Sequence, residues 1–336
     1  MSNFKIVWVD DIMPVTDVEK KIIEGFGCTV VQYSAFNTED ILSVAADADA
    51  IITVGGKFNR ATIEGLKNCK VISRFGQGFD NVDVAAATEK GIVVTYVPVY
   101  CKEEVATLAL TLMLACERKL FTANKTVKTG HWVNAAQSVN GARSISARTI
   151  GLIGLGGIQK QLVNYLKPFG AKLLAYDPYI NLPYCEANGI ESVEKEYLLQ
   201  NADIVFLQVP LMDSTWHMIA EPELKLMKEG SVIINTGRGA LIDQLALTEA
   251  LKSGKIAAAG LDVLEFEPPK GDEEIFQMDN VITSGHIGAC TTEALIRLRT
   301  AVAQNVVDVL SGKQPTLDYA GIANPAVLEK VSLVKE

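Results

Sequence analysis

The chain has 336 residues, of which 49% are hydrophobic and 21% charged, and its formal net charge is −9. That length and apolar content bury a large core and suffice for two domains, which excludes a disordered chain. The acidic balance offers no basic face, which excludes nucleic acid as the default partner.

The N-terminus, "MSNFKIVWVDD", runs from one short apolar alternation straight to Asp10 and Asp11, so it reads as a first strand and not as a secretory leader. A cytoplasmic protein is expected. Short β-rich runs then alternate with helical patterns: "KIVWVD" before a helix near residues 17–25, "DAIITV" before one near 59–66, then "KVISRF", a helix through "VDVAAATEKG", and "IVVTYV". The segment "VATLALTLMLAC", residues 105–116, is uncharged, but Glu104 and Glu117 bound it and it is too short to span a bilayer. It is read as a buried helix, and no membrane partner is expected. A second series continues through "RTIGLIGLGG", "AKLLAYD", "ADIVFLQVP", "SVIINTG", "IAAAGLDV" and "NVITSG". Alternating strands and helices imply parallel sheets with right-handed crossovers, hence an α/β fold of two Rossmann-like units. No repeat and no Pro- or Gly-rich linker separates them, so helices around residues 103–120 and 292–310 are expected to make the joins. On that reading a discontinuous domain of residues 1–101 and 290–336 flanks an inserted domain of residues 102–289. The six cysteines are scattered, with no C-x-x-C pair and no metal-ligand spacing, so they read as reduced thiols and no metal is expected.

The segment "TIGLIGLGGIQKQLVNYLKPFGAKLLAYD" is a strand, a glycine turn, a helix and a second strand ending in Asp177. Gly154 makes the tight turn, and Gly156 lets backbone approach a pyrophosphate seated on the positive end of the helix. Asp177 can accept from a ribose diol and repels a 2′-phosphate, so NAD is favoured over NADP. Gln159 stands where a third glycine would pack helix against strand, a departure expected to shift the helix slightly without removing the phosphate contacts.

In "SVIINTGRGALID" a strand ends in Arg238 held between Gly237 and Gly239, at the sheet edge where ligands of such folds lie. A guanidinium grips a carboxylate through two parallel hydrogen bonds; the plain alternative is a loop arginine paired with an acid such as Asp243. "GLDVLEFEPP" brings Asp262, Glu265 and Glu267 to the same edge, and "NVITSGHIGA" brings His286. Of three histidines, His131 in "TGHW" and His217 in "STWHM" occupy polar contexts suited to solvated or capping roles, which leaves His286 for chemistry. A histidine paired with a carboxylate, beside an arginine and a nicotinamide, suits hydride exchange at an oxygen-bearing carbon, with the histidine moving the proton.

Through "SRFGQGFDNVD", the dinucleotide loop, "NTGRGALID", "GLDVLEFEPP" and "SGHIGA", in order and over essentially its full length, the chain resembles the D-isomer-specific 2-hydroxyacid dehydrogenase family. The resemblance implies a discontinuous substrate-binding domain, an inserted NAD domain and an active site in the cleft between them. It makes Arg238 the group that binds and polarises a 2-oxo acid, His286 the acid/base and Glu267 its carboxylate partner. Asp262 resembles the residue that holds the nicotinamide amide. Gly157 and Ile158 open the phosphate-binding helix, Val209 and Pro210 line the nicotinamide ribose side, and Thr215, Thr236 and Gly237 complete the cofactor contacts. Ile158 and Val209 equally suit core packing. Gly76, Gln77 and Gly78 resemble the loop that receives the substrate carboxylate, with Gln77 replacing a residue more often small and apolar. Tyr100 resembles an aromatic of lactate-type relatives, and Lys57 either selects a second anionic group or is a solvated loop lysine.

The chain ends soon after its closing helix, so the appended regulatory domain of some phosphoglycerate dehydrogenases is not expected. Glu267 stands where formate-oxidising relatives carry glutamine. The expected function is reversible hydride transfer between NADH and a 2-oxo acid of phosphoglycerate, hydroxypyruvate or lactate type, by a homodimer. The alternative is an NAD-sensing interaction protein, like the C-terminal binding proteins, with little turnover.

Overall fold

Runs such as "AIIT", "IVFL" and "SVIIN" are buried along their whole length, the pattern of strands covered on both faces by helices. A computed structural model, describing residues 4–335, gathers these runs into two units: residues up to Tyr100 together with those from Thr291, and Cys101–Cys290.

The first unit contains β1 (Ile6–Trp8), α1 (Asp17–Gly25), β2 (Val30–Gln32), α2 (Thr38–Ala45), β3 (Ala50–Thr53), α3 (Arg60–Gly65), β4 (Val71–Arg74), α4 (Val84–Lys90) and β5 (Val93–Tyr96). The second contains α5 (Lys102–Glu117), α6 (Leu120–Lys128), α7 (Ala135–Ser138), β6 (Thr149–Ile153), α8 (Gly157–Leu166), β7 (Lys172–Tyr176), α9 (Leu182–Asn188), β8 (Ile190–Ser192), α10 (Lys195–Asn201), β9 (Ile204–Leu207), α11 (Glu221–Leu226), β10 (Ser231–Asn235), α12 (Gln244–Lys252), β11 (Ile256–Leu261) and β12 (Val281–Thr283). The chain then returns to the first unit with α13 (Thr292–Leu310) and β13 (Gly321–Ile322).

Side chains set the helix starts. Asn37, Asn59, Asp83, Asn181, Asp243 and Thr291 each accept from the amide three residues on, opening α2, α3, α4, α9, α12 and α13.

In the first unit the sheet order is β13-β5-β4-β3-β1-β2, parallel except for β13. Its five parallel strands have the flavodoxin-like order 2-1-3-4-5. Helix α13 packs on α1 and β4: Arg299 Nη1 meets Glu19 Oε1 at 2.5 Å, and Ser73 Oγ donates to the Val302 carbonyl at 3.0 Å.

The second sheet, β12-β11-β10-β9-β6-β7-β8, is parallel throughout. Read from β8 it has the 3-2-1-4-5-6 order of dinucleotide-binding folds plus one strand, with the reversal between β6 and β9. The helix expected over residues 103–120 ends at Glu117, because Lys119 takes a left-handed turn (φ 46°) before α6. Neither α6 nor α7 has a buried residue. No helix among the described residues is long and apolar enough to cross a membrane.

Candidate active site

Strand β10 is wholly buried, and its last residue shapes the turn beyond it. Asn235 Oδ1 accepts from Gly237 N–H (3.0 Å) and its Nδ2 donates to the Arg238 carbonyl (2.8 Å), so one side-chain amide fixes the turn that carries Arg238. A Cβ at Gly239 would lie 1.8 Å from the Leu264 carbonyl oxygen; only glycine lets this turn press against the segment after β11. The Arg238 Nη1 donates to the Gly237 carbonyl at 2.9 Å.

The neighbouring strand β11 leads into Asp262, 3% exposed, whose amide donates to the Asn235 carbonyl at 2.9 Å. Its Oδ1 accepts from Ser284 Oγ (2.7 Å) and Ile287 N–H (2.9 Å), and its Oδ2 from Gly288 N–H (2.9 Å). These bonds brace the turn that presents His286. His286 occupies left-handed backbone (φ 59°), sparsely populated for any residue but glycine, and is held there by its own N–H on the Asp262 carbonyl at 2.6 Å. Its Nδ1 meets Glu267 Oε2 at 2.6 Å, while Nε2 makes no hydrogen bond among the described residues. Glu267 Oε1 accepts from Leu264 N–H (3.0 Å). Burial opposes the charged form of Glu267, but the hydrogen bond and charge of His286, the Leu264 N–H and the Arg238 guanidinium outweigh it and hold the carboxyl below its ordinary value.

The glutamate two residues back belongs to a second pair. His217, expected in a solvated or capping role, is instead a partly buried residue in left-handed backbone (φ 48°), with Nε2 at 2.8 Å from Glu265 Oε1. The other Glu265 oxygen accepts from Gln244 N–H at 3.2 Å, and Trp216 stacks on the imidazole. Glu265 therefore belongs to His217. His131 is exposed.

At the switch point itself, directly after β6, Gly154 has φ 85°, and a Cβ there would meet the Gln208 carbonyl at 2.5 Å and Val209 Cγ1 at 2.7 Å. Open space adjoins Gly156, the N-cap of α8, and no side chain caps that helix. An uncapped helix end above a turn that admits only glycine fits a dinucleotide's pyrophosphate. Asp177 Oδ2 accepts from Leu155 N–H (2.7 Å) and Oδ1 from Tyr179 N–H (2.8 Å); each oxygen keeps a second lone pair for a diol. Gln159 does not disturb the start of α8: it is 1% exposed, and its amide has no hydrogen-bond partner among the described residues. Ile158 is buried, so its side chain packs in the core. Val209 is half-buried and Pro210 exposed. The Thr215 hydroxyl closes its own loop, donating to the Pro210 carbonyl (2.7 Å) and accepting from Met212 N–H (2.8 Å). Thr236 Oγ1 donates to Gln208 Oε1 (2.7 Å).

In the first unit, the Gly76–Gly78 turn comes after β4. Gly76 (φ 143°) accepts from Val97 N–H at 3.0 Å, and Gln77 is exposed. Lys57 is exposed on a loop whose Val54 and Gly55 amides donate to Asp10 Oδ2 at 2.8 and 3.1 Å. Tyr100 is buried, and its carbonyl accepts from Arg297 Nε at 2.8 Å. Among the described residues no group could hold a metal ion.

Asn235, Gln208 and Ser284 escaped the sequence reading. The available signal was an amide side chain directly before a Gly-Arg-Gly turn; Gln208 and Ser284 act across strands and had none.

The sheet order and the glycine turn define a dinucleotide-binding protein. Residues 110–288 match the family model for D-isomer specific 2-hydroxyacid dehydrogenase, NAD binding domain. The chain is 41% identical over 302 residues to D-3-phosphoglycerate dehydrogenase of Methanocaldococcus jannaschii, which covers 89% of this chain and 57% of that protein. The chain thus spans little more than half the length of that relative. It is 37% identical over 280 residues to glyoxylate reductase of Thermococcus litoralis, covering 82% and 84% of the two. Among solved structures, D-lactate dehydrogenase from Aquifex aeolicus complexed with NAD and lactic acid superposes with a TM-score of 0.82 at 27% identity, covering 92% of this chain and 96% of that one. The chain belongs to the D-isomer specific 2-hydroxyacid dehydrogenase family, and residues 110–288 are its NAD-binding domain.

Proposed function

We propose that this chain is an NAD-dependent D-2-hydroxyacid dehydrogenase. The observation that carries this reading is the His286–Glu267 pair at 2.6 Å, with a second imidazole nitrogen left open at the strand edge that also bears Arg238. Bound NADH supplies the hydride. Arg238 holds the carboxylate of a 2-oxo acid and polarises its carbonyl, and His286 delivers the proton from Nε2 while Glu267 keeps the imidazolium oriented through Nδ1. Asp262 positions His286 by fixing residues 284–288. In the first unit, the role assigned to Gly76, Gln77 and Gly78 is reception of the substrate carboxylate; the Gln77 and Gly78 amides have no acceptor among the described residues, which supports it. Lys57, exposed and without an ion pair among the described residues, suits a substrate with a second anion.

The relatives name 3-phosphoglycerate dehydrogenation and reduction of glyoxylate or hydroxypyruvate, and this substrate class is carried over to the chain. We assign it to the cytoplasm, in keeping with cysteines that are all free thiols among the described residues. We also assign it a homodimeric state. Leu120, Phe121, Trp132 and Val133 lie on and after α6, all more than half exposed, an apolar surface suited to a second copy.

NADH oxidation with glyoxylate, hydroxypyruvate, pyruvate, phenylpyruvate and 3-phosphohydroxypyruvate tests the reading. Turnover on at least one is expected, with NADH favoured over NADPH by about tenfold or more because Asp177 repels a 2′-phosphate. No turnover on any, by protein that binds NADH, would overturn the dehydrogenase.

A further inference from the structure

We propose that Lys102 is a phosphate-binding residue of the cofactor site, its ammonium standing where a side chain at position 157 would otherwise project. The proposal rests on NAD binding by the glycine loop. Gly157 is the first residue of α8, and a Cβ there would lie 2.6 Å from Lys102 Cε, 3.2 Å from Cδ and 3.3 Å from Nζ. The lysine stem therefore lies across the first turn of the phosphate-binding helix. Gly157 has no left-handed φ, so its glycine is explained by this close approach and not by the backbone.

The electrostatics at this point call for an anion. Lys102 is the first residue of α5, where the helix dipole disfavours a cation, and its Nζ lies beside the positive end of α8 as well. Glu103 and Glu104 come next in the same turn, yet Nζ makes no hydrogen bond or ion pair with any described residue. The glycine turn itself, residues 154–159, has no basic residue. The next cation, Lys160, is engaged elsewhere, its Nζ 4.9 Å from the Tyr184 ring centroid. Lys102 is thus the ammonium available to the loop, half-buried and already placed at the helix end where a pyrophosphate accepts backbone N–H groups.

The test is direct binding to the full chain, read by NADH fluorescence and by competition with ADP, which carries a pyrophosphate, and with adenosine, which carries none. K102M, which keeps the stem and loses the charge, is expected to weaken NADH and ADP about tenfold while leaving adenosine within about twofold. K102R is expected to retain most of the affinity, and the salt dependence of NADH binding should be shallower in K102M than in wild type. G157A, which displaces the lysine, should weaken NADH in the wild-type background and add little in K102M. Wild-type NADH affinity in K102M would overturn the assignment. An equal loss for adenosine would make Lys102 a packing strap and overturn it too. Failure of the wild type itself to bind NADH would instead remove the cofactor reading, and the lysine's role with it.

Discussion

Two glutamates two residues apart on the segment after β11 each pair with a histidine, Glu265 with His217 after β9 and Glu267 with His286 after β12, and the surroundings of the two pairs differ. In the His217–Glu265 pair the side chains are 17% and 14% exposed, the other imidazole nitrogen is 4.0 Å from Asp243, and the second carboxylate oxygen holds the Gln244 amide. In the His286–Glu267 pair they are 51% and 36% exposed, and Nε2 of the histidine is open. A pair this enclosed, with one carboxylate oxygen on the imidazole and the other on a backbone amide, organises the loops it joins. A pair with one nitrogen left open can exchange a proton with a ligand. The same two residue types thus serve structure in one case and, on the proposed function, chemistry in the other.

The largest effect expected is on the open pair. H286N should lower kcat by about 10³-fold with NADH affinity little changed, measured by stopped-flow reduction and by titration. Near-native kcat would erase the distinction between the pairs. R238K keeps the charge but loses the planar fork, and should lower kcat/KM for the 2-oxo acid by roughly 10². E265Q breaks the partly buried pair and should act on stability: Tm falls by about 3 °C or more in calorimetry, while kcat/KM stays within about threefold.

Acid sharpens the contrast further. Because the folded Glu267 carboxyl lies below its ordinary value, the stabilisation it contributes is complete above that ordinary value and is lost as pH falls through the lower folded one. The Tm difference between wild type and E267Q should therefore shrink on acidification, and a constant difference would speak against the charged pair.

Much of this site was legible before the fold. Arg238, Glu267 and His286 sit at the ends of β-rich runs flanked by glycine or proline, where periodicity stops and polar side chains are exposed at one sheet edge. The α/β alternation was equally plain, because buried parallel strands are continuous apolar runs. The parts that stayed hidden depended on partners distant in sequence. His217 resembled a polar loop residue because Glu265, 48 residues away, is the group that buries it. Asp262 is engaged by the Ser284 hydroxyl and the Ile287 and Gly288 amides of the next strand's loop, which residue type alone does not disclose. The edge strands β2 "VVQ" and β8 "IES" are short and partly exposed, so they lacked the apolar signal that marked the central strands.

The most direct test is kcat/KM for 2-oxo acid reduction, at saturating NADH, in wild type, E267Q and E265Q. On the proposed function His286 delivers the proton, and the Glu267 carboxylate orients it through Nδ1. The expected result is a fall of about tenfold or more in E267Q and a value within about threefold of wild type in E265Q. A fall of that size in E265Q and not in E267Q would contradict the division of labour between the two pairs.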